Sequence, residues 1–512
     1  MRLEMIDCRA EKDPGAVALT DDVRSLTWRE LAGEIQRAAA LFDELTAAGH
    51  KRIGVLGENR VETMIAHVAG ILSGIGTVAL SRQLTGPELI DQLTDACAVA
   101  VVAGPNSVDA AKAASVAIGT NVITHGTDTT GARLREWTTA LLDTRLSENV
   151  ADNREPRPPI VYTSGTTGRA RGTEVRWLPR RFDTAGAYAS ALAARRSFPA
   201  GPHLVVGPLQ HNGPLTSLRH LVSGEPVVVL GKFDAESVLR LIERHRVTSA
   251  VMVPTHFRRL LDLSPDMRER YDVSSLVSVA HTGSACPPDV KRSMIDWWGP
   301  VLSESYGGSE IGTVCRIDSH DWLAHPGSVG RCVAPFEAVV VAEDGSELPV
   351  GEVGVLGFRT PPGYEVRFHA DPEKTAKAHI APGVSTLGDV GYIDSDGFVY
   401  VTDRISDMVI SGGVNIYPAE IERVLQEHPS VRETAVIGVP DQDLGESLLA
   451  LIVPNADTQP EDDDLVAFMR ASLAGYKVPR SFRYLPELDR NAMGKVDKRA
   501  LRSRYTEEMT AR

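Results

Sequence analysis

Along the first half of the chain, short unbroken apolar runs alternate with stretches in which apolar residues recur every three or four positions. Ile53-Gly54-Val55-Leu56 reads as a buried strand, because a short run without polar interruption suits a strand covered on both faces. The segment from Glu58 to Ile75 then carries Met64, Val68, Ile71 and Leu72 at helical spacing. Val78-Ala79-Leu80 is the next strand, a helix follows near Glu88–Ala96, and Val99-Ala100-Val101-Val102 is another strand. Further on come Val227-Val228-Val229-Leu230, a helix from Ala235 to His245, and Ala250-Val251-Met252-Val253. Such alternation predicts an α/β fold of layered sheets and helices with much parallel pairing.

The texture changes near residue 400. Pro418 to Glu427 predicts a short helix with proline at its start, where the missing N–H costs nothing. Val436-Ile437-Gly438-Val439 and Leu448–Val453 read as strands, and Asp462 to Leu473 as an amphipathic helix. This tail is expected to form a small α+β domain of its own. Val401-Thr402-Asp403-Arg404-Ile405-Ser406-Asp407 is the expected junction, giving domains 1–403 and 404–512 with a hinge between them. Asn153-Arg154-Glu155-Pro156-Arg157-Pro158-Pro159 is a polar connector, read as an exposed approach to the loop that follows it. No repeat of fixed period is evident.

Composition narrows the class. With 512 residues, 43% of them hydrophobic and 24% charged, the chain has material for a large core and more than one folding unit. A net charge of −14 argues against nucleic acid as a main partner, since phosphate backbones demand a basic footprint. It does not argue against a small anion held by a few local cations. The five cysteines, Cys8, Cys97, Cys286, Cys315 and Cys332, are odd in number and contain no CxxC pair. That pattern fits a reduced intracellular protein without a disulfide framework or a zinc site. The start lacks an apolar signal core and no apolar run reaches the ~18 residues of a membrane span. A cytoplasmic protein is expected.

The densest chemical signal is Tyr162-Thr163-Ser164-Gly165-Thr166-Thr167-Gly168-Arg169-Ala170-Arg171-Gly172. Glycines permit a tight turn whose N–H groups converge, hydroxyls add donors, and Arg169 and Arg171 add charge. Such a loop suits a polyphosphate, although the Walker pattern GxxxxGK[ST] is absent. A plain Ser/Gly-rich surface turn is the competing reading.

Thr163–Gly168 resembles the signature of the adenylate-forming superfamily, which includes acyl-CoA synthetases, peptide-synthetase adenylation domains and beetle luciferases. Other motifs of that superfamily follow in order. Pro208-Leu209-Gln210-His211 resembles its gate segment, and Tyr306-Gly307-Gly308-Ser309-Glu310 its YGxTE motif. Leu387-Gly388-Asp389 resembles TGD. Asp403-Arg404, followed by Ser411-Gly412-Gly413-Val414-Asn415-Ile416, resembles the hinge and the loop after it. Asn491-Ala492-Met493-Gly494-Lys495-Val496 resembles the segment of the catalytic lysine.

The resemblance implies an AMP-forming ligase that uses ATP and Mg²⁺ to join a small-molecule carboxylic acid to AMP, then transfers the acyl group to coenzyme A. A carboxylate resists a thiol because oxide is a poor leaving group, whereas AMP leaves readily. Joining two anions requires cations to stabilise the crowded phosphorus transition state. By resemblance Lys495 is that cation, Glu310 holds Mg²⁺ through hard oxygen atoms, and Ser309 keeps a hydroxyl for the α-phosphate. Asp389 would accept the ribose hydroxyls. Arg404 would contact ribose or phosphate, or else form a salt bridge at the hinge. Gly283-Ser284-Ala285, after a strand expected at Leu276–Val279, would lie against adenine, with Tyr306 stacked on it or buried in the core. His211 would gate the acyl pocket and orient the carboxylate, and Gly412 and Gly413 would line the path of the thiol. Gly307, Gly308 and Gly312 would either leave room for a bulky hydrophobic acid or serve backbone geometry.

Besides Ser309, which stands for the usual Thr, three segments depart from the superfamily pattern. Ala170-Arg171-Gly172 stands for Pro-Lys-Gly, Ser406 for the usual Asp or Lys of the hinge, and Leu444 for a Trp common in CoA ligases. An enzyme that passes its adenylate to another acceptor is therefore the alternative, and a luciferase-like oxygenase a more distant one. A homodimer and a downstream acceptor enzyme or carrier protein are both compatible with the sequence.

Overall fold

The computed structural model describes residues 5–510 apart from 47–50, 127–132, 146–153, 164–170, 176, 179–181, 343, 362–364, 367–371, 406, 412–413, 442–443, 456–459 and 491–495. The described chain divides into two compact units. One comprises Met1–Pro335 with Thr360–Lys377, and the other Phe336–Arg359 with Ala378–Arg512.

The first unit holds two sheets. Six strands of the seven-stranded sheet run parallel, with Arg52–Leu56 between Thr77–Ala79 and Ala98–Ala103. Its last strand, Arg171–Glu174, pairs antiparallel with Ile160–Thr163. The nine-stranded sheet has a parallel centre, His203–Val205, Ser249–Met252, Ser278–His281 and Leu302–Gly308, with antiparallel strands at either end. One core joins them. Helices Trp28–Leu45, Val61–Ser73, Ala185–Ala193 and Ser217–Val222 pack apolar faces against strands of both sheets. Helices Gly86–Asp95 and Val108–Ile118 cover the other face of the seven-stranded sheet. Strands buried on both faces need no polar alternation, which is why their sequences read as continuous apolar runs.

The helix from Ala235 to His245 has the expected limits. The helix expected from Glu58 begins only at Val61 and stops at Ser73, capped by Gly74 at φ 66°. Glu58 and Asn59 are withheld because their side chains hold other loops. One Glu58 oxygen accepts from the Asn106 N–H at 3.1 Å and from Arg82 at 3.2 Å. At Gly86–Asp95 the Thr85 and Glu88 side chains cap each other's backbone, a pairing that contributes about 1 kcal/mol.

The second unit contains an antiparallel sheet of Glu337–Val341, Gly354–Arg359, His379–Ala381, Val384–Ile393 and Val399–Arg404. It also contains a sheet built on the long pair Val431–Asp441 and Gly445–Pro454. On that pair Val436, Leu448, Ala450 and Ile452 pack on helices Pro418–Gln426 and Asp462–Arg470. The alternate residues Ile437, Val439, Leu449 and Leu451 face Leu501 and Tyr505 of Lys498–Thr510. Period-two alternation with both faces covered again explains the unbroken apolar sequence.

Candidate active site

In the nine-stranded sheet Val205 pairs with Val251, Met252 with His281, and His281 with Glu304. These four parallel strands therefore end together, and the carboxyl edge of such a sheet is where α/β proteins bind ligands. Three of the sequence-predicted segments leave from this edge.

His211 follows the strand His203–Val205 and forms the N-cap of Asn212–Leu215, its N–H donating to the Pro208 carbonyl at 3.1 Å. Gly213, two residues on, approaches the Gly283 loop: a Cβ there would sit 3.4 Å from the Thr282 methyl carbon. The strand before Gly283 is Ser278–His281 rather than Leu276–Val279. It starts later because Leu276 turns back to donate to the Val273 carbonyl. Gly283 adopts φ 92°, a left-handed conformation that favours glycine, and Gly283, Ser284 and Ala285 are all exposed.

Leu302–Gly308 forms a hairpin with Gly312–Asp318, and the register slips between Tyr306 and Gly307. Ser309 and Glu310 sit at its turn, half-buried, as is Tyr306. A side chain on Gly307 would collide with the Gly312 carbonyl, and Gly312 itself has φ 85°. Gly308 leaves room for Glu310, whose carboxylate lies 2.8 Å from where a Cβ would be. These glycines thus serve backbone approach and the folded-back carboxylate.

Sequence reasoning missed the clamp behind His211. The buried Asn59 amide donates to the Gly207 carbonyl at 2.8 Å and the Leu230 carbonyl at 3.1 Å, and accepts from the Leu209 N–H at 2.9 Å. A fully satisfied buried amide fixes this loop between the two sheets. Gln210 donates to the Ser81 hydroxyl at 3.2 Å, and Trp177 to the Asn212 side chain at 3.2 Å. Asn59 ends an apolar-to-helical transition, but nothing local reveals partners some 150 residues away.

Beneath the same edge lies a buried charge pair that sequence reasoning also missed. The Lys291 ammonium donates to the Glu304 carboxylate at 2.6 Å and lies 4.8 Å from the Trp322 ring centroid. His281 approaches the same oxygen at 3.5 Å. Burial pushes the Glu304 carboxyl up and the Lys291 ammonium down, each opposed by the other's charge. The 2.6 Å contact gives each buried group its partner. Burial and the Lys291 charge hold His281 well below its ordinary range, so its imidazole is neutral.

In the second unit Asp389 and Arg404 are register partners on adjacent strands, and Arg404 Nε donates to Asp389 Oδ1 at 3.0 Å. Asp389 is 3% exposed, whereas the Arg404 side chain is largely in solvent. Arg404 thus forms a salt bridge with Asp389 while most of its side chain stays in solvent. Asp403 accepts from the N–H groups of Arg404 and Ala419 at 2.7 and 2.8 Å. Burial pushes its carboxyl up to about 6, against the pull of the Lys498 charge. Lys498, a further residue missed from sequence, bridges to Glu422 at 2.8 Å and Asp407 at 4.0 Å.

Several expected site residues lie outside the described residues: Ser164, Gly165, Thr166, Thr167 and Gly168, Ser406, Gly412 and Gly413, and Lys495. Thr163 pairs with Arg171 in the antiparallel ladder, Ser411 pairs with Val414, and Arg490 bridges to Val496.

Comparison with known proteins places the fold in a family. The chain matches the AMP-binding enzyme family over residues 6–364 and the AMP-binding enzyme C-terminal domain over residues 420–495. It is 32% identical over 504 residues to a 3-[(3aS,4S,7aS)-7a-methyl-1,5-dioxo-octahydro-1H-inden-4-yl]propanoyl:CoA ligase of Mycobacterium tuberculosis, covering 96% of each chain. Its fold is similar to o-succinylbenzoate CoA synthetase from Bacillus subtilis in complex with an acyl-adenylate, with a TM-score of 0.81, 26% identity and 97% of each chain covered. It is also similar to the amide bond synthetase McbA from Marinactinospora thermotolerans, with a TM-score of 0.84, 26% identity, and 98% and 99% of the two chains covered. With both family regions in sequence order over nearly the whole chain, the protein belongs to the AMP-binding enzyme family and is an AMP-forming ligase.

Proposed function

We propose that this ligase activates a bulky aromatic or polycyclic carboxylic acid, first as its acyl-adenylate and then as its CoA thioester. The reading rests on one observation above others. The turns bearing His211, Gly283 and Tyr306–Glu310 converge at the carboxyl edge of one parallel sheet. In the first step an oxygen of the acid attacks the α-phosphorus of ATP and pyrophosphate leaves. In the second, a thiolate attacks the acyl carbon and AMP leaves.

Each residue has a physical role in this reading. Lys495 offsets the repulsion between carboxylate and α-phosphate. The 163–172 loop supplies N–H and hydroxyl donors to the phosphates, with Arg171 adding charge. The Glu310 carboxylate, folded over Gly308, offers the hard oxygen donors that Mg²⁺ prefers; the ion would screen phosphate charge. Ser309 donates to the α-phosphate. Asp389 accepts from the ribose, and Arg404 holds Asp389 in line at 3.0 Å. Gly283, Ser284 and Ala285 present bare backbone to adenine, against which Tyr306 stacks. His211, fixed through Asn59, orients the carboxylate at the mouth of the acyl pocket. Residues 404–512 turn about Ser406 between the steps, withdrawing Lys495 and bringing Gly412 and Gly413 to the thiol.

Transfer to an amine or a carrier in place of CoA is the second reading. Leu444 in place of an aromatic residue and the likeness to an amide bond synthetase favour it.

The test is a panel of aromatic, polycyclic and fatty acids with MgATP, following pyrophosphate and product mass with and without CoA. Acid-dependent pyrophosphate and acyl-CoA are expected from a bulky acid. Adenylate that accumulates despite CoA would favour the second reading. Normal adenylate formation by Lys495→Ala would sink the assignment of that lysine.

A further inference from the structure

Cys315 and Cys332 face each other at the edge of the nine-stranded sheet, their sulfur atoms 3.6 Å apart. Their backbones are direct partners in the antiparallel pair of Gly312–Asp318 with Arg331–Cys332. The next position carries a ladder bond, from the Val333 N–H to the Val314 carbonyl at 2.9 Å. Bonded and non-bonded positions alternate along such a pair, so the cysteines occupy a non-bonded one, where facing Cα atoms lie ~4.5 Å apart. A disulfide spans Cα separations of ~4.4–6.8 Å, so the backbone already permits the bond.

The two thiols differ in access. Cys315 is buried, while Cys332 is partly exposed on the terminal strand. Contact with the Cys332 thiol and burial hold the Cys315 thiol above its ordinary range. First attack therefore falls to Cys332, the thiol that solvent reaches.

We infer that Cys315 and Cys332 are a modification site that closes reversibly to a disulfide and slows adenylation when closed. The oxidant is a small-molecule disulfide. The Cys332 thiolate attacks one of its sulfurs, forming a mixed disulfide and releasing one thiol. Cys315, losing its proton, then attacks the Cys332 sulfur and expels the second thiol. Two protein thiols are oxidised and one small disulfide is reduced to two thiols.

The consequence follows from register. Cys315 is also the direct partner of Tyr306 on its other side. Bonded sulfurs sit ~2.05 Å apart, so closure takes up a gap of about 1.5 Å between the sulfurs, a movement shared by the two side chains and the strand that faces Tyr306. A displacement of ~1 Å near reacting groups costs up to ~100-fold in rate. This step rests on the proposed role of the Tyr306–Glu310 hairpin; the bond itself does not.

The experiment uses the full chain carrying Cys97→Ser, which removes an exposed thiol. The protein is equilibrated with mixtures of oxidised and reduced dithiothreitol, alkylated, and mapped by peptide mass, while pyrophosphate release is followed in parallel. The expected result is one cross-linked peptide pair holding Cys315 and Cys332, a loss of two titratable thiols, and a several-fold fall in release that reduction reverses. Cys332→Ser should be insensitive on both counts. Absence of the cross-linked peptide under oxidising conditions overturns the site. A cross-link with unchanged release overturns its control of adenylation, as does an oxidative loss that persists in Cys332→Ser. Failure of the reduced enzyme to release pyrophosphate with any acid would defeat the functional reading and leave the mapped bond standing.

Discussion

Arg404 and Asp389 are tied across an antiparallel strand pair, the exposed guanidinium donating at 3.0 Å to a carboxylate that is almost wholly buried. The bond leaves Asp389 oriented by a neighbour that remains accessible to solvent. Hydrogen bonds to a charged acceptor contribute about 1.5–3 kcal/mol. Asp389→Asn should therefore lower kcat/KM for ATP by ~10- to 100-fold without lowering that for the acid to the same extent. Titrating each substrate in the pyrophosphate assay checks this, and equal losses on both would count against a ribose role.

Asn59 makes three bonds that no other side chain of its size can reproduce. Asn59→Asp keeps the shape but sets an acceptor against the Gly207 and Leu230 carbonyls. Leaving such buried groups unsatisfied costs about 1–3 kcal/mol. The His211 loop should loosen, raising KM for the acid more than KM for ATP. Unchanged acid KM in a folded Asn59→Asp protein would remove Asn59 from the positioning of His211.

Lys291 is fully buried and its partner Glu304 nearly so. Removing one member of such a pair strands the other charge, at a cost of about 3–5 kcal/mol. Lys291→Met should lower the urea midpoint of the first unit sharply. Adding Glu304→Gln should recover part of the loss, because the stranded charge is then gone. Additive destabilisation in the double variant would mean that the pair is not coupled.

Asp403 gives the second unit a pH dependence of definite sign. Its carboxyl is raised to about 6 by burial, with Lys498 opposing and Glu422 reinforcing the shift. A raised folded pKa contributes stability that is complete below the unfolded value of ~3.9 and lost as pH rises through the folded one. Lowering the pH from 7 to 5 should therefore stabilise the natural protein relative to Asp403→Asn. Parallel urea midpoints for the two across that window would show that Asp403 is not the group responsible.

The sequence by itself determined the architecture and the family. Apolar runs bounded by Gly, Pro and polar residues identified the parallel strands, because burial on both faces removes alternation from the sequence. Proline at 418 and the amphipathic spacing from Asp462 marked helices for the same local reasons. Contiguous strings such as Tyr306–Glu310 carried the resemblance, since a hairpin turn places neighbours in sequence at one point in space. What only the tertiary structure decided were the relations between distant positions. Asn59 meets Leu209, Lys291 meets Glu304, and Cys315 meets Cys332 through sheet register and loop closure. Each partner taken alone reads as an ordinary helix-flanking amide, a surface charge or an isolated thiol. Their meaning comes from desolvation: once water is excluded, a polar group must find a partner wherever the fold brings one.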